Sequence, residues 1–249
     1  LSSLTTVRSL RVEGLENCTL TLPTSVSCLD FERTSHEVGV QGTENLRQLI
    51  IPHDTTTTTP CPKLQWLKWN GEMLSEEKLP CSTTDMLAIS TMRIEAQTVN
   101  PSFRFPTQLT TLWLTVHKGF IDDALLTPLT LLQTLAVRTK SPLDLSGLTA
   151  LTELHANWSP ITKLPASLVE YFVSPPCDTD LSAFTNLTSL SLTVGSDIRL
   201  TYPTGLKKLF IDRKLTNTNI ADSALESFEL GWTSFNTLGE LEQLPKTLK

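Results

Sequence analysis

Hydrophobic residues fall along this chain in short bursts that keep a ruler. The phrase hydrophobic-x-x-hydrophobic-x-hydrophobic is complete twelve times, and Leu248 opens a thirteenth. It begins at Val7, Val26, Leu46, Leu64, Ile89, Leu109, Leu132, Leu151, Leu168, Leu187, Leu206 and Leu225. The steps between those residues are 19, 20, 18, 25, 20, 23, 19, 17, 19, 19 and 19. Within each phrase the fourth and sixth positions are apolar while the third and fifth vary. That is the period-two mark of a strand with one buried face. A strand recurring about every twenty residues predicts a solenoid, with one short strand per repeat stacked in a parallel sheet. At a period of 19 the return segment holds about a dozen residues. That length suits extended, turn or 3₁₀ structure better than a full helix.

Five phrases are preceded by a hydrophobic residue and Pro: Leu22-Pro23, Phe105-Pro106, Leu164-Pro165, Tyr202-Pro203 and Leu244-Pro245. Each Pro stands three residues before its strand's first hydrophobic position. Pro fixes φ and has no N–H, so it suits the turn that leads into a strand. The pattern resembles the leucine-rich repeat family, and within it the short repeats with Leu-Pro-x-x-Leu-x-x-Leu phrases found in secreted bacterial effectors and some unicellular eukaryotes. The resemblance covers nearly all 249 residues. It implies a leucine-rich-repeat horseshoe with a parallel concave β-sheet and a mostly non-helical convex side. Residues 1–249 are then one solenoid domain, read as a fragment of a longer protein. The chain departs from the family at one point. The place three residues past the sixth position, where an Asn or Cys ladder is usual, holds Leu15, Thr34, Asp54, Glu72, Gln97, His117, Lys140 and Ser159. The backbone groups served by such a ladder must find other partners.

The longer repeats leave room for more. The insert Leu74–Leu79 and the stretch Asp122–Leu129 each predict a short helix, with Asp122 and Asp123 at a helix N-terminus where carboxylates are favoured. The run Asp54–Pro60 reads as an exposed Thr-rich loop.

Chemistry is sparse. The histidines His36, His53, His117 and His155 have no metal-binding spacing, and no Cys-x-x-Cys pair, phosphate loop or nucleophile elbow is present. The acidic pairs Glu76-Glu77 and Asp122-Asp123 read as solvated surface. The sequence thus predicts no enzyme activity, no metal and no cofactor. Net charge is −6, which argues against nucleic acid as the main partner; the basic cluster Lys207, Lys208, Arg213 and Lys214 is diluted by nearby acids. No apolar run is long enough for membrane insertion. Five cysteines (Cys18, Cys28, Cys61, Cys81 and Cys177) make an odd number and point to a reduced, cytoplasmic protein. Against that stand sequons at Asn17, Asn157 and Asn186, and Cys61 and Cys81 are spaced to meet across adjacent coils. An extracellular or cell-surface location is the alternative.

The surface that the repeat creates is the informative one. Third and fifth positions face outward on the concave side. They place Trp66, Lys68, Arg93, Trp113, His155, Phe172 and Phe210 there. The rings of Trp113, Phe172 and Phe210 are not needed for the core, and exposed aromatics with Arg are common binding anchors. Trp69 occupies a sixth position and reads as structural. The sequence therefore predicts a protein-interaction scaffold that binds another protein or peptide on its concave face. Two alternatives remain: a secreted or cell-surface recognition ectodomain, and the substrate-recognition module of a larger enzyme such as an effector ubiquitin ligase.

Overall fold

A computed structural model describes residues 6–14, 18–32, 38–51, 55–57, 60–174, 179–193, 200–212 and 224–231. The chain divides into two compact units, Leu1–Leu132 and Gln133–Lys249. In the first unit the strands are β1 (Ser9–Glu13), β2 (Cys18–Thr21), β3 (Cys28–Glu32), β4 (Val38–Gln41), β5 (Gln48–Ile51), β6 (Thr55–Thr57), β7 (Trp66–Leu74), β8 (Thr91–Val99) and β9 (Thr111–Val116). Helix α1 (Asp123–Leu126) follows them. In the second unit they are β10 (Thr134–Arg138), β11 (Leu143–Asp144), β12 (Glu153–Asn157), β13 (Ile161–Lys163), β14 (Glu170–Ser174), β15 (Thr179–Asp180), β16 (Ser189–Leu192), β17 (Leu200–Thr201), β18 (Lys208–Ile211) and β19 (Ser227–Leu230).

Each unit is a β-solenoid. In the first, β1, β3, β5, β7, β8 and β9 lie side by side in that order, and β2, β4 and β6 form a second sheet from the return segments. In the second, β10, β12, β14, β16, β18 and β19 do the same, with β11 on β13 and β15 on β17. All the pairings described within the units are parallel and keep phrase on phrase: Leu49 opposes Leu67, Leu67 opposes Met92, and Met92 opposes Leu112. First, fourth and sixth positions form the core. Leu46, Leu49, Leu64, Leu67, Leu109, Leu112, Leu151, Leu154, Leu187 and Leu206 are wholly buried. The first phrase is looser, since Val7, Leu10 and Val12 are only half-buried. Trp69 is buried as expected, and its indole Nε1 donates to the Lys78 carbonyl (3.1 Å). Gly71 leaves room for that ring, because a Cβ there would run into the Trp69 indole.

The turn that leads into each strand repeats as well. Val26, Leu109, Leu168 and Leu206 each donate a backbone N–H to the Pro three residues earlier. Leu46, Leu64, Ile89, Leu132 and Leu187 close the same turn on Thr43, Cys61, Met86, Leu129 and Phe184. The prolines sit in the core: Pro23, Pro106, Pro165 and Pro203 are buried. The missing Asn ladder has a substitute one residue before each strand's first hydrophobic position. Asn45 Nδ2 donates to the Thr24 carbonyl (3.1 Å), Gln108 Nε2 to Met86 (2.7 Å) and Asn186 Nδ2 to Ala166 (2.9 Å). Ser167 Oγ reaches Leu151 in the same way (2.7 Å). At the usual ladder place, among the described residues only Ser159 contributes a buried hydroxyl, which donates to the Val137 carbonyl and accepts from the Thr139 N–H.

Both predicted helices are present and short. Glu76–Lys78 is a 3₁₀ turn, and the Asp122 side chain caps α1 by accepting from the Ala124 N–H. The Thr run differs from its sequence reading. Thr55–Thr57 is strand β6, paired with β4, because a Thr-rich segment suits a sheet edge and β4 offers an open one. The thirteenth phrase at Leu248, together with Cys177, Asn17, His36 and His53, lies outside the described residues.

Candidate functional site

The outer face of each sheet is built from third and fifth positions. Register alone decides who stands beside whom there. In the first unit Ile50, Lys68, Arg93 and Trp113 form one row across β5, β7, β8 and β9. Trp66 stands in the parallel row between Gln48 and Thr91. Trp113 is 38% exposed although it sits on the sheet, while Trp66 and Lys68 are half-buried and Arg93 is exposed. Neither Lys68 nor Arg93 has a hydrogen-bond or ion-pair partner among the described residues. Two basic groups elsewhere on these faces do have acids beside them. Arg11 stands opposite Asp30 and 3.6 Å from Glu13, and His155 is 2.8 Å from Glu153.

In the second unit the row is Ala136, His155, Phe172, Ser191, Phe210 and Glu229. His155 and Phe172 stack face to face, with centroids 4.1 Å apart and planes within 1°. Glu153 orients that imidazole through Nε2, while its other oxygen accepts from Thr134 (3.2 Å). Phe172 and Phe210 are half-buried. Phe172 therefore spends one face of its ring on His155.

Sequence reasoning missed two features. The 25-residue step from Leu64 to Ile89 accommodates strands β7 and β8 of nine residues each. They carry the face beyond the phrase, to Asn70 and Glu95, which are register partners. There the sheet borders a cleft of about 450 Å³ lined by Asn70, Gly71, Glu72, Glu95, Gln97 and Lys118. His117 Nε2 lies 2.9 Å from Glu95. The buried Oδ1 of Asn70 has no hydrogen-bond partner. The second is the backbone conformation of Trp158, a residue whose place just past its strand the sequence did show. Trp158 is 69% exposed and has a left-handed backbone (φ 63°), a conformation that costs a bulky side chain about 1–2 kcal/mol.

The remaining candidates are structural. Glu76 accepts from Ser82 and Thr83, closing its own loop, and Lys207 lies 3.6 Å from Glu226. Cys61 and Cys81 do meet: both are buried, and a hydrogen bond to the Cys61 sulfur, with burial, pushes the Cys81 thiol pKa up. Asn157 and Asn186 are exposed. Among the described residues no group of three or more His, Cys, Asp or Glu could hold a metal ion, and no helix is long and apolar enough to cross a membrane.

No family model matches the chain, and no curated protein matches it. Among solved structures, an internalin from Listeria monocytogenes superposes over 100% of this chain and 86% of its own, with 15% identity and a TM-score of 0.53. CroV588, a circular LRR protein, covers 92% of this chain and 46% of its own, with 16% identity and a TM-score of 0.38; that superposition is too partial to bear on anything further. The fold is a leucine-rich-repeat solenoid.

Proposed function

We propose that the chain is a non-enzymatic scaffold whose outer sheet face binds another protein or peptide. The first unit offers Trp66, Lys68, Arg93 and Trp113, and the second offers His155, Phe172 and Phe210. One observation carries the reading. Trp113 stands on the strand row beside Arg93 and Lys68, exposed on a face that the core does not require. An indole with a guanidinium beside it and an ammonium one strand farther supplies apolar area and directional hydrogen-bond donors together, and such residues dominate interface energetics. A parallel sheet of regular register also gives a partner a flat, rigid template at low ordering cost.

The test is affinity capture from source-cell extract with wild type, Trp113→Ser, and Phe172→Ser/Phe210→Ser side by side. Circular dichroism verifies that each variant is folded. A partner held by wild type and released by Trp113→Ser places it on the first unit's face, and release by the Phe variant places it on the second's. Equal retention by all three would sink the reading.

The odd cysteine count supports an intracellular setting, and the exposed sequon asparagines Asn157 and Asn186 support an extracellular one. We favour the first. Intact mass from the native source decides: a glycan at either Asn would overturn it.

A further inference from the structure

The row Lys68–Arg93 presents an electrostatic problem that the chain itself leaves open. The two are register partners on adjacent strands, so their backbones run roughly 5 Å apart. Like charges directly opposite one another destabilise a sheet. In a protein of net charge −6, carboxylates are plentiful, and Arg11 and His155 each have one nearby. Lys68 and Arg93 have none among the described residues. The nearest acid along β8 on the same side, Glu95, is taken by His117. Trp113 stands next to Arg93 on one side of the pair, and on the other Ile50 separates Lys68 from Asp30, which Arg11 faces.

Farther along the same strands the sign reverses. Asn70 and Glu95 follow Lys68 and Arg93 on the same side by strand alternation, and Glu72 opens into the cleft beyond. That cleft offers mostly acceptors: the Glu72 carboxylate and the second oxygen of Glu95, whose Oε1 meets His117. Lys118 at its rim is the one full cation among its lining residues. Glu72 has no side-chain partner among the described residues. The face therefore runs from cationic to acidic over four residues of strand, about 13 Å.

Resting on the reading of the outer face as the partner surface, we propose that β7–β9 take an extended partner segment carrying an acidic and a basic side chain about four residues apart. The carboxylate lies over Lys68 and Arg93 beside Trp113. The basic group reaches the Glu72 and Glu95 carboxylates of the cleft. The same-side spacing of an extended peptide matches that of the strands beneath it, which is why a protein segment fits better than an isolated anion.

The experiment is an NMR titration of the intact chain with four eight-residue Ser/Thr peptides. One carries Asp and Arg four apart, one has Asp→Asn, one has Arg→Gln, and one has both changes. The expected result is saturable movement of the Lys68, Asn70, Glu72, Arg93 and Glu95 amides. Each peptide neutralisation should weaken binding about two- to fivefold, the range of exposed charge pairs. The Asp→Asn effect should vanish in Arg93→Gln protein, and the Arg→Gln effect in Glu72→Gln protein. If all four peptides move these amides equally, the face stands as a binding surface and the charge assignment falls. If none moves them, the face reading falls with it. Tighter saturation of the Lys68 and Arg93 signals by phosphatidylserine vesicles than by the bipolar peptide would reassign the cations to a lipid headgroup and overturn the proposal.

Discussion

At the scale of single residues, backbone constraints are set by contacts between repeats. Gly42 has φ 76°, and a Cβ there would sit 2.9 Å from the Leu22 carbonyl oxygen of the preceding coil. Gly42→Ala therefore combines a left-handed backbone with a clash. We expect a loss of about 1–2 kcal/mol, read as a lower urea midpoint at unchanged m-value. An unchanged midpoint would mean that the coil relaxes freely. The amide ladder shows how much was legible here. Asn45, Gln108 and Asn186 all stand immediately before a strand's first Leu, and that regularity was open to reading. It was missed because the ladder place common to the family lies after the strand. Trp158 is a different case, since nothing in Asn157-Trp158-Ser159 announces a left-handed backbone. The turn is fixed by Ser159, whose hydroxyl is tied to Val137 and Thr139 of the neighbouring coil.

At the scale of elements, return segments are held by a few polar links between successive coils. Lys163 Nζ donates to Asp144 Oδ2 (2.7 Å) across β11 and β13. That bond, with those from Ser146, holds the Asp144 carboxyl down to about 2. An unfolded aspartate protonates near about 3.9. The folded pKa is the lower one, so the stabilisation is complete above the unfolded value and lost as pH falls through the folded one. Wild type and Asp144→Asn should therefore differ in Tm by a constant amount above about pH 5 and converge near pH 2. A gap that persists below pH 2 would show that the pair is not its source. A second link is dormant. Cys61 and Cys81 touch as thiols in the core. Refolding with oxidised glutathione should join them: the two thiols lose two protons and two electrons, and the glutathione disulfide is reduced to two thiols. The mass should fall by about 2 Da, and stability should rise by about 3 kcal/mol for a loop of this length. Retention of two maleimide-reactive thiols at these positions would refute the contact.

At the scale of the whole molecule, the sequence was most readable where physics is most repetitive. A six-residue phrase on a fixed step determines which side chains are buried and, through parallel register, which outward residues become neighbours. That is why Lys68, Arg93 and Trp113 could be assigned to one face in advance. Spacing alone could not reveal where a strand outgrows its phrase. The 25-residue step signalled extra length but not that β7 and β8 would spend it on the sheet, adding Asn70, Glu72 and Glu95 to the face. Nor could spacing show that the Phe172 ring lies flat on His155, which depends on rotamers set by Glu153. The central claim is that partners sit on this outer face rather than on the return segments. It is tested most directly by photo-crosslinking, with benzoylphenylalanine placed at Trp113 in one protein and at Thr84, an exposed return-segment residue, in another. A partner joined from position 113 and not from 84 is the predicted result. Crosslinking from 84 with none from 113 would contradict the account.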